Sequence, residues 1–351
     1  MENKEFVCQL ITWYSKNKRD LPWRETQNPY IIWLSEILLQ QTRVDQGLPY
    51  FYKFVDNYPD VNKLANAEER EVLRLWEGLG YYSRARNLHA TAKLIVEKYS
   101  GIFPQTYKEL LKLKGVGPYT AAAIASFSFN ESVAVVDGNV YRVLSRVFGI
   151  DDDIRSPSGI KKFRELANLL IPKKDPATYN QAIMEFGALH CVPAKPKCED
   201  CPVSAQCYAF STNAQSLLPV KNKKIVKKNR HFNYLAFRWK DKILMKERKS
   251  KDIWQGLYEF YNNESSEILD PGKLLNKLPS KELTVVKSSE VMKQILTHQV
   301  LFCQGHIINV NSKTAFNAIK GALELKEFSI NQINDLPKPV LIQRFLKQCD
   351  F

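Results

Sequence analysis

The sequence predicts an all-helical domain followed by a smaller mixed α+β domain, and three observations carry that prediction. From about residue 5 to 190, apolar residues recur at helical spacing between short polar connectors, and strand-like alternation is scarce. Between residues 211 and 230 the stretch "STNAQSLLPVKNKKIVKKNR" loses that periodicity and turns polar and basic, as a linker does. After it, "FNYLAFRWKDKILMKER" alternates apolar and polar residues around a Lys-Asp turn, the pattern of a β-hairpin. A chain of 351 residues is long enough for two such cores. The expected domains are therefore 1–210, a linker at 211–230, and 231–351.

The first informative helix begins at Asn28-Pro29, a good N-cap residue followed by proline at the first helical position, and runs through "YIIWLSEILL". Glu36 is out of place in it. Three and four positions to either side stand Trp33, Ile32, Leu39 and Gln40, so the carboxyl shares its face with apolar groups. Partial desolvation there favours the neutral, proton-donating form. Two readings stand: an acid built for proton transfer, or a rim acid paired with Arg43 or hydrogen-bonded by Gln40.

Further helices are read in "EEREVLRLWEGL", "ARNLHATAKLIVEKY" and "TYKELLKLK". The last ends at Gly115-Val116-Gly117, and Pro118 opens the next, "TAAAIASFSF". Two glycines allow a tight turn and close approach to a ligand, and the free N–H groups of the following helix start suit a phosphate oxygen. The same turn also serves as plain helix packing. In "AVVDGNVYRV", Asp137 precedes another helix, either as its N-cap or as a second carboxylate aimed by that helix start. "ATYNQAIMEFGALHC" completes the helical domain. In the second domain "LTVVKSS" and "LFCQGHIINV" read as strands, with helices near 315–325 and 338–348.

Four of the seven cysteines, Cys191, Cys198, Cys201 and Cys207, fall in the spacing C-x6-C-x2-C-x5-C. Thiolates so close in sequence can converge on one soft metal centre. Only one short C-x2-C knuckle is present, where structural zinc sites usually pair two, so the spacing favours an iron–sulfur cluster over zinc. The loop would act as a clamp and present Lys195 and Lys197 to solvent.

The net charge of +14 is unevenly spread: residues 221–251 hold 13 Lys and Arg against 2 Asp and Glu, a net of +11. Such a segment suits a polyanionic partner, or is simply a solvated linker and strand face. No apolar stretch approaches a membrane span, and "MENKEFVCQL" lacks the features of a signal peptide, which leads to the expectation of a cytoplasmic protein.

The order of Glu36 in its apolar helix, "LPWR", "WLSEILLQQT", "GLGYYSRARNL", the GVG turn, "VDGNV" and the four cysteines resembles the helix–hairpin–helix, iron–sulfur DNA glycosylases, and within them the MutY-type adenine DNA glycosylases. "WQGLYEF" and "LTHQ" resemble that family's Nudix-like domain. The resemblance implies a helix–hairpin–helix domain with a [4Fe-4S] loop at 191–207, then a Nudix-like 8-oxoguanine recognition domain. It implies that the partner is double-stranded DNA with adenine opposite 8-oxoguanine or guanine, and that the enzyme is a monomer at the bacterial nucleoid. Glu36 would protonate the adenine and Asp137 would stabilise the cationic sugar, with Tyr119 and Asn139 lining the catalytic side. Because the adenosine must be flipped out of the duplex, Gln41 and Tyr81 would wedge into the gap and Thr42 would hold the partner base. Gly115 and Gly117 would grip the backbone, and Arg24 and Leu79, in matching motifs, are expected at the DNA. Thr297 and His298, in Leu296-Thr297-His298, stand where the family has a Phe-Ser-His type turn that senses 8-oxoguanine.

Tyr119 occupies the hairpin position where strand-cutting relatives carry a nucleophilic lysine, and Tyr141 stands where a lysine can follow the Asp-Gly-Asn. This implies a monofunctional glycosylase. "GLYEFYNNESSEILD" lacks the glutamate-rich box of a working Nudix hydrolase, so the second domain should bind rather than hydrolyse. The alternatives are an endonuclease III-like glycosylase and lyase, or a catalytically silent iron–sulfur DNA-binding protein.

Overall fold

The computed structural model describes residues 2–222 and 226–350, so Lys223 and Lys224 of the expected basic linker lie outside the described residues. The chain forms two compact units: Met1–Asn66 with Asn87–Lys224, and Ala67–Arg86 with Ile225–Phe351.

The first unit is helical. Its core joins helices Glu2–Asn17, Gly138–Phe148, Pro157–Leu170 and Pro176–Leu189 through Phe6, Leu10, Val143, Leu144, Phe163 and Phe186. Three helices, Pro29–Leu39, Pro157–Leu170 and Pro176–Leu189, start with a side-chain cap followed by proline in the first turn. Asn28 accepts from the N–H of Tyr30 at 2.9 Å, and Ser156 accepts from Gly159 at 3.0 Å. Asp175 accepts from Thr178 at 3.2 Å. Helix Pro29–Leu39 packs on Pro118–Phe129, which brings Glu36 to the hairpin. Helix Pro176–Leu189 approaches the Asp137 turn so closely that a Cβ on Gly187 would stand 2.7 Å from that of Asn139. Only glycine fits there.

The segment before the hairpin is less helical than its sequence suggests. The helix spans only Tyr107–Leu110, and turns carry the chain to Gly115. Gly115 holds φ +78°, and a Cβ there would meet Asn87 at 2.8 Å, so both backbone and space require glycine.

The second unit is a mixed sheet. Strands β1 (Lys228–Trp239), β2 (Lys242–Glu247), β3 (Tyr258–Glu259), β4 (Tyr261–Ser265), β5 (Leu283–Ser288), β6 (Met292–Ile295), β7 (Gln299–Val310) and β8 (Lys326–Ser329) follow in chain order. The expected hairpin is present, with Trp239 opposite Lys242. β1 is not a half-solvated strand, however. It pairs parallel to β7 and antiparallel to β4, and Phe232–Phe237 are buried without interruption because both faces are covered. Asn233, polar in this run, is satisfied by Asn263 O at 3.0 Å and Ser265 Oγ at 2.9 Å. Helix Lys313–Ala322 covers one side through Phe316 and Ile319, and Phe345 of helix Val340–Gln348 stacks edge-on against Phe260 at 5.5 Å.

The segment expected to be a linker is structured at both ends. Val220 O accepts from Ile154 N at 3.3 Å, and β1 already begins at Lys228. Residues 67–86 were assigned to the helical domain by sequence, yet they pack with the C-terminal part. Arg86 Nη1 donates to Gln255 O at 2.6 Å, Arg70 lies 5.9 Å from the Tyr258 ring centre, and Gln343 bonds Glu77. These contacts join positions more than 150 residues apart, which no local pattern reveals.

Candidate active site

Glu36, on the inward face of helix Pro29–Leu39, is 7% exposed. Neither sequence-level partner holds it, since Gln40 Nε2 turns to Thr120 Oγ1 at 3.3 Å. The Tyr119 hydroxyl, one residue into the helix after the hairpin, donates to Glu36 Oε2 at 2.5 Å. Burial pushes the Glu36 carboxyl up to about 7; the Tyr119 bond opposes this, Asp137 adds to it and Arg24 opposes it. Tyr119 itself is pushed well above the ordinary tyrosine value by burial and by Glu36, so it stays a neutral donor.

Asp137 is the N-cap of the helix that follows it, as one of its two sequence readings expects. Its Oδ1 caps helix Gly138–Phe148 by accepting from the N–H groups of Asn139 and Val140, each at 2.8 Å, and Oδ2 accepts from Asn139 Nδ2 at 2.7 Å. Burial pushes this carboxyl up, against the Val140 and Asn139 bonds and the nearby Arg142, all of which favour the anion. Glu36, Tyr119, Asp137 and Asn139 line one cleft of about 1950 Å³ that is open to solvent. Among the described residues its lining contains arginines and no lysine.

The lining of the same cleft also holds a cluster that sequence reasoning missed. Glu185, 1% exposed, takes Arg19 at 2.6 Å and Arg24 at 2.8 Å. Arg24, expected at the DNA, is committed to this carboxylate and to Arg19 O at 2.9 Å. The signal was legible: "AIMEFGAL" is another acid inside an apolar helical run. Arg142 was also missed; it links Asn139 Oδ1 at 2.8 Å, Gly187 O at 2.6 Å and Cys191 O at 2.7 Å, tying the Asp137 turn to the cysteine loop.

Gln41 and Tyr81, the expected wedge residues, both hold left-handed backbone, at φ +56° and +48°. For non-glycine residues this conformation is uncommon and costs on the order of 1 kcal/mol or more. Thr42 stays close to its helix end, with Oγ1 3.4 Å from Gln40 O. Gly117 caps the following helix in an extended conformation. In the second unit Tyr81 is 46% exposed and its hydroxyl lies 2.5 Å from Thr297 Oγ1, which brings together two residues expected at the same lesion. Leu79 is only 6% exposed and lies between Gly78 and Gly80, at φ +103° and +73°. Thr297 and His298 form the turn between β6 and β7, where His298 O accepts from Lys228 N at 3.0 Å. Tyr141 is packing, edge-on to Phe163 at 5.0 Å.

Cys191, Cys198, Cys201 and Cys207 line one cavity of about 350 Å³ with Arg146 and His190. Among the described residues no three His, Cys, Asp or Glu are gathered closely enough to hold a single ion. Four thiols lining one cavity are donors of the soft type that iron–sulfur clusters take.

A family model for HhH-GPD superfamily base excision DNA repair proteins matches residues 34–169, and one for the NUDIX domain matches residues 233–348. The adenine DNA glycosylase of Buchnera aphidicola subsp. Baizongia pistaciae is 33% identical, over 89% of this chain and 88% of that protein. That of Buchnera aphidicola subsp. Schizaphis graminum is 30% identical, over 97% and 98%. Among solved structures, a thermostable thymine-DNA glycosylase matches 60% of this chain and 97% of its own, with a TM-score of 0.56 and 33% identity. A non-covalent endonuclease III–DNA complex, at a TM-score of 0.53 and 22% identity, covers 61% of this chain and 97% of its own and shares the fold. With its helical glycosylase fold, its Nudix-like sheet and relatives matched along almost their whole length, the chain belongs to the adenine DNA glycosylase family.

Proposed function

We propose that this chain removes adenine from DNA by hydrolysing its N-glycosidic bond, with 8-oxoguanine or guanine as the opposing base. The observation that carries this reading is Glu36, buried in a cleft wall, raised to about 7 and facing Asp137 across the same cleft. Adenine is a poor leaving group until its ring is protonated. A carboxyl titrating near neutrality supplies that proton as the C1′–N9 bond breaks, assistance worth about 10²–10⁴-fold. Tyr119 fixes Oε2, leaving Oε1 to carry the proton. The sugar becomes cationic as the bond breaks, and Asp137, aimed by its own helix start, is placed to stabilise it. Water then adds to C1′ and releases a proton, leaving an abasic site. Tyr119 stands in the hairpin where a strand-cutting relative carries a Schiff-base lysine, and among the described residues the cleft lining holds no lysine, which supports excision without strand cleavage.

The base reaches this cleft only after flipping. Strained Gln41 and Tyr81 are read as wedges, Thr42 as a support for the opposing base, Gly115 and Gly117 as the phosphate grip, and Thr297 and His298 as the 8-oxoguanine sensor. The described basic residues of 221–251 follow the duplex backbone, which makes binding salt-sensitive. The Nudix-like domain binds without hydrolysing: Glu259 is committed to Arg248 at 2.6 Å and Glu264 to Arg230 at 2.7 Å. Cys191, Cys198, Cys201 and Cys207 would hold a [4Fe-4S] cluster, which when bound clamps the loop beside the Asp137 turn.

The test is a labelled duplex with one adenine opposite 8-oxoguanine, analysed with and without hot alkali. A thymine-opposite-guanine duplex serves as control, given the likeness to a thymine-DNA glycosylase. Cleavage of the adenine strand only after alkali supports the proposal. Cleavage without alkali would indicate a lyase, and no cleavage by cluster-loaded protein a silent DNA-binding protein.

A further inference from the structure

We infer that Arg84 is the positioning residue of the Tyr81 wedge: its guanidinium lies over one face of the Tyr81 ring and leaves the other face for a base. This rests on the wedge reading above. Tyr81 holds left-handed backbone at φ +48° and is 46% exposed. Such a backbone persists only where its surroundings hold it. Two contacts hold the ring itself. Its hydroxyl lies 2.5 Å from Thr297 Oγ1, and Arg84 Cζ stands over the ring, 5.8 Å from its centre, within the range of a cation–π contact.

Arg84 is itself fixed. It is 9% exposed, and its Cζ stands 4.9 Å over the Trp76 ring, so the guanidinium meets two aromatic faces. Trp76 Nε1 donates to Gly80 O at 2.9 Å, Arg84 Nη2 reaches the same oxygen at 3.5 Å, and Arg84 N donates to Tyr81 O at 2.8 Å. These bonds close the turn that Gly80 opens at φ +73°. The place is otherwise a poor one for a cation. Arg84 stands in the first turn of helix Ser83–Tyr99, at the positive end of its dipole, and burial lowers its value to about 10. It keeps its charge at neutral pH, and two electron-rich ring faces offset the cost of that position. With one face covered by Arg84 and the hydroxyl held by Thr297, the Tyr81 ring meets an unstacked base through its remaining face.

The experiment is a double-mutant cycle on single-turnover excision of adenine opposite 8-oxoguanine, with wild type, Arg84→Met, Tyr81→Ala and the two combined, each checked for folding by circular dichroism. A 2-aminopurine placed next to the mispair reports unstacking of the duplex in the same complexes. Arg84→Met keeps much of the stem and removes the cation. It is expected to slow excision by about 3–30-fold, to dim the 2-aminopurine signal, and to add nothing to the loss caused by Tyr81→Ala. A folded Arg84→Met with the wild-type rate, or one whose loss multiplies with that of Tyr81→Ala, overturns the role of Arg84. If Arg84→Met does not fold, Arg84→Lys, which keeps the charge and loses the flat stacking group, runs the same cycle with the same two outcomes. Tyr81→Ala with wild-type rate and signal overturns the wedge reading, and a wild type that excises no adenine overturns the function proposed above.

Discussion

Glu36 and Glu185 both stand inside apolar helices of the first unit, at 7% and 1% exposure, and they titrate in opposite directions. Glu36 is pushed up to about 7, with a tyrosine hydroxyl as its hydrogen-bond partner. Burial alone would raise Glu185 too, but the bonds from Arg19 and Arg24 override it and hold the carboxyl at about 2. Burial therefore does not decide what a buried acid does; the charge of its partners does. One glutamate is kept ready to give up a proton, and the other fixes two cations beneath it.

The sharpest test of that contrast is catalytic. Glu36→Gln should lower the single-turnover excision rate by about 10²–10⁴-fold or more, while gel-shift affinity for the mispaired duplex is retained. Glu185→Gln strikes the other half of the comparison: it leaves two guanidinium groups around a neutral amide, and urea unfolding should record a loss of about 3–5 kcal/mol.

Stability should move the other way at Glu36. Its folded value lies above its ordinary one of 4.5, so the stability it supplies when protonated is lost as pH rises from about 4.5 through about 7. Glu36→Gln should thus be more stable than wild type at pH 8, by on the order of 3 kcal/mol, and indistinguishable from it at pH 4. The Glu185 contribution is present above the ordinary carboxylate range and disappears only as pH falls toward about 2. Equal destabilisation by both substitutions at pH 8 would refute the comparison.

Smaller effects refine it. The excision rate of wild type should fall as pH rises through about 7, and Tyr119→Phe, by removing a bond that favours the Glu36 anion, should shift that limb to higher pH. Arg19→Gln should cost least, about 1 kcal/mol or less in the same urea titration, since its side chain is 36% exposed and Arg24 still holds Glu185.

Much of this site was legible because local rules govern it. Asn28-Pro29 marks a helix start, an acid among Trp33, Ile32 and Leu39 marks an anomaly, and the Asp137 cap is written in Asp-Gly-Asn. Glu185 carries the same signature as Glu36 and went unread, because nothing near it in sequence names Arg19 or Arg24, which lie more than 160 residues away. The parallel pairing of β1 with β7 was hidden for a similar reason: alternation describes one face, and burial of Phe232–Phe237 depends on what covers the other.

The grouping of residues 67–86 with the C-terminal sheet bears on the order in which the molecule is made. A ribosome releases this segment early, but Gln255, Thr297, Lys338 and Gln343, its partners, emerge only near the end of synthesis. Until then Trp76 and Tyr82 lack much of their final surroundings, and such long separations slow folding and expose apolar surface meanwhile. A messenger broken between residues 225 and 254 would thus yield a chain with Glu36, Asp137 and the cysteines of the 191–207 loop, but with the Tyr81 turn left without its seat.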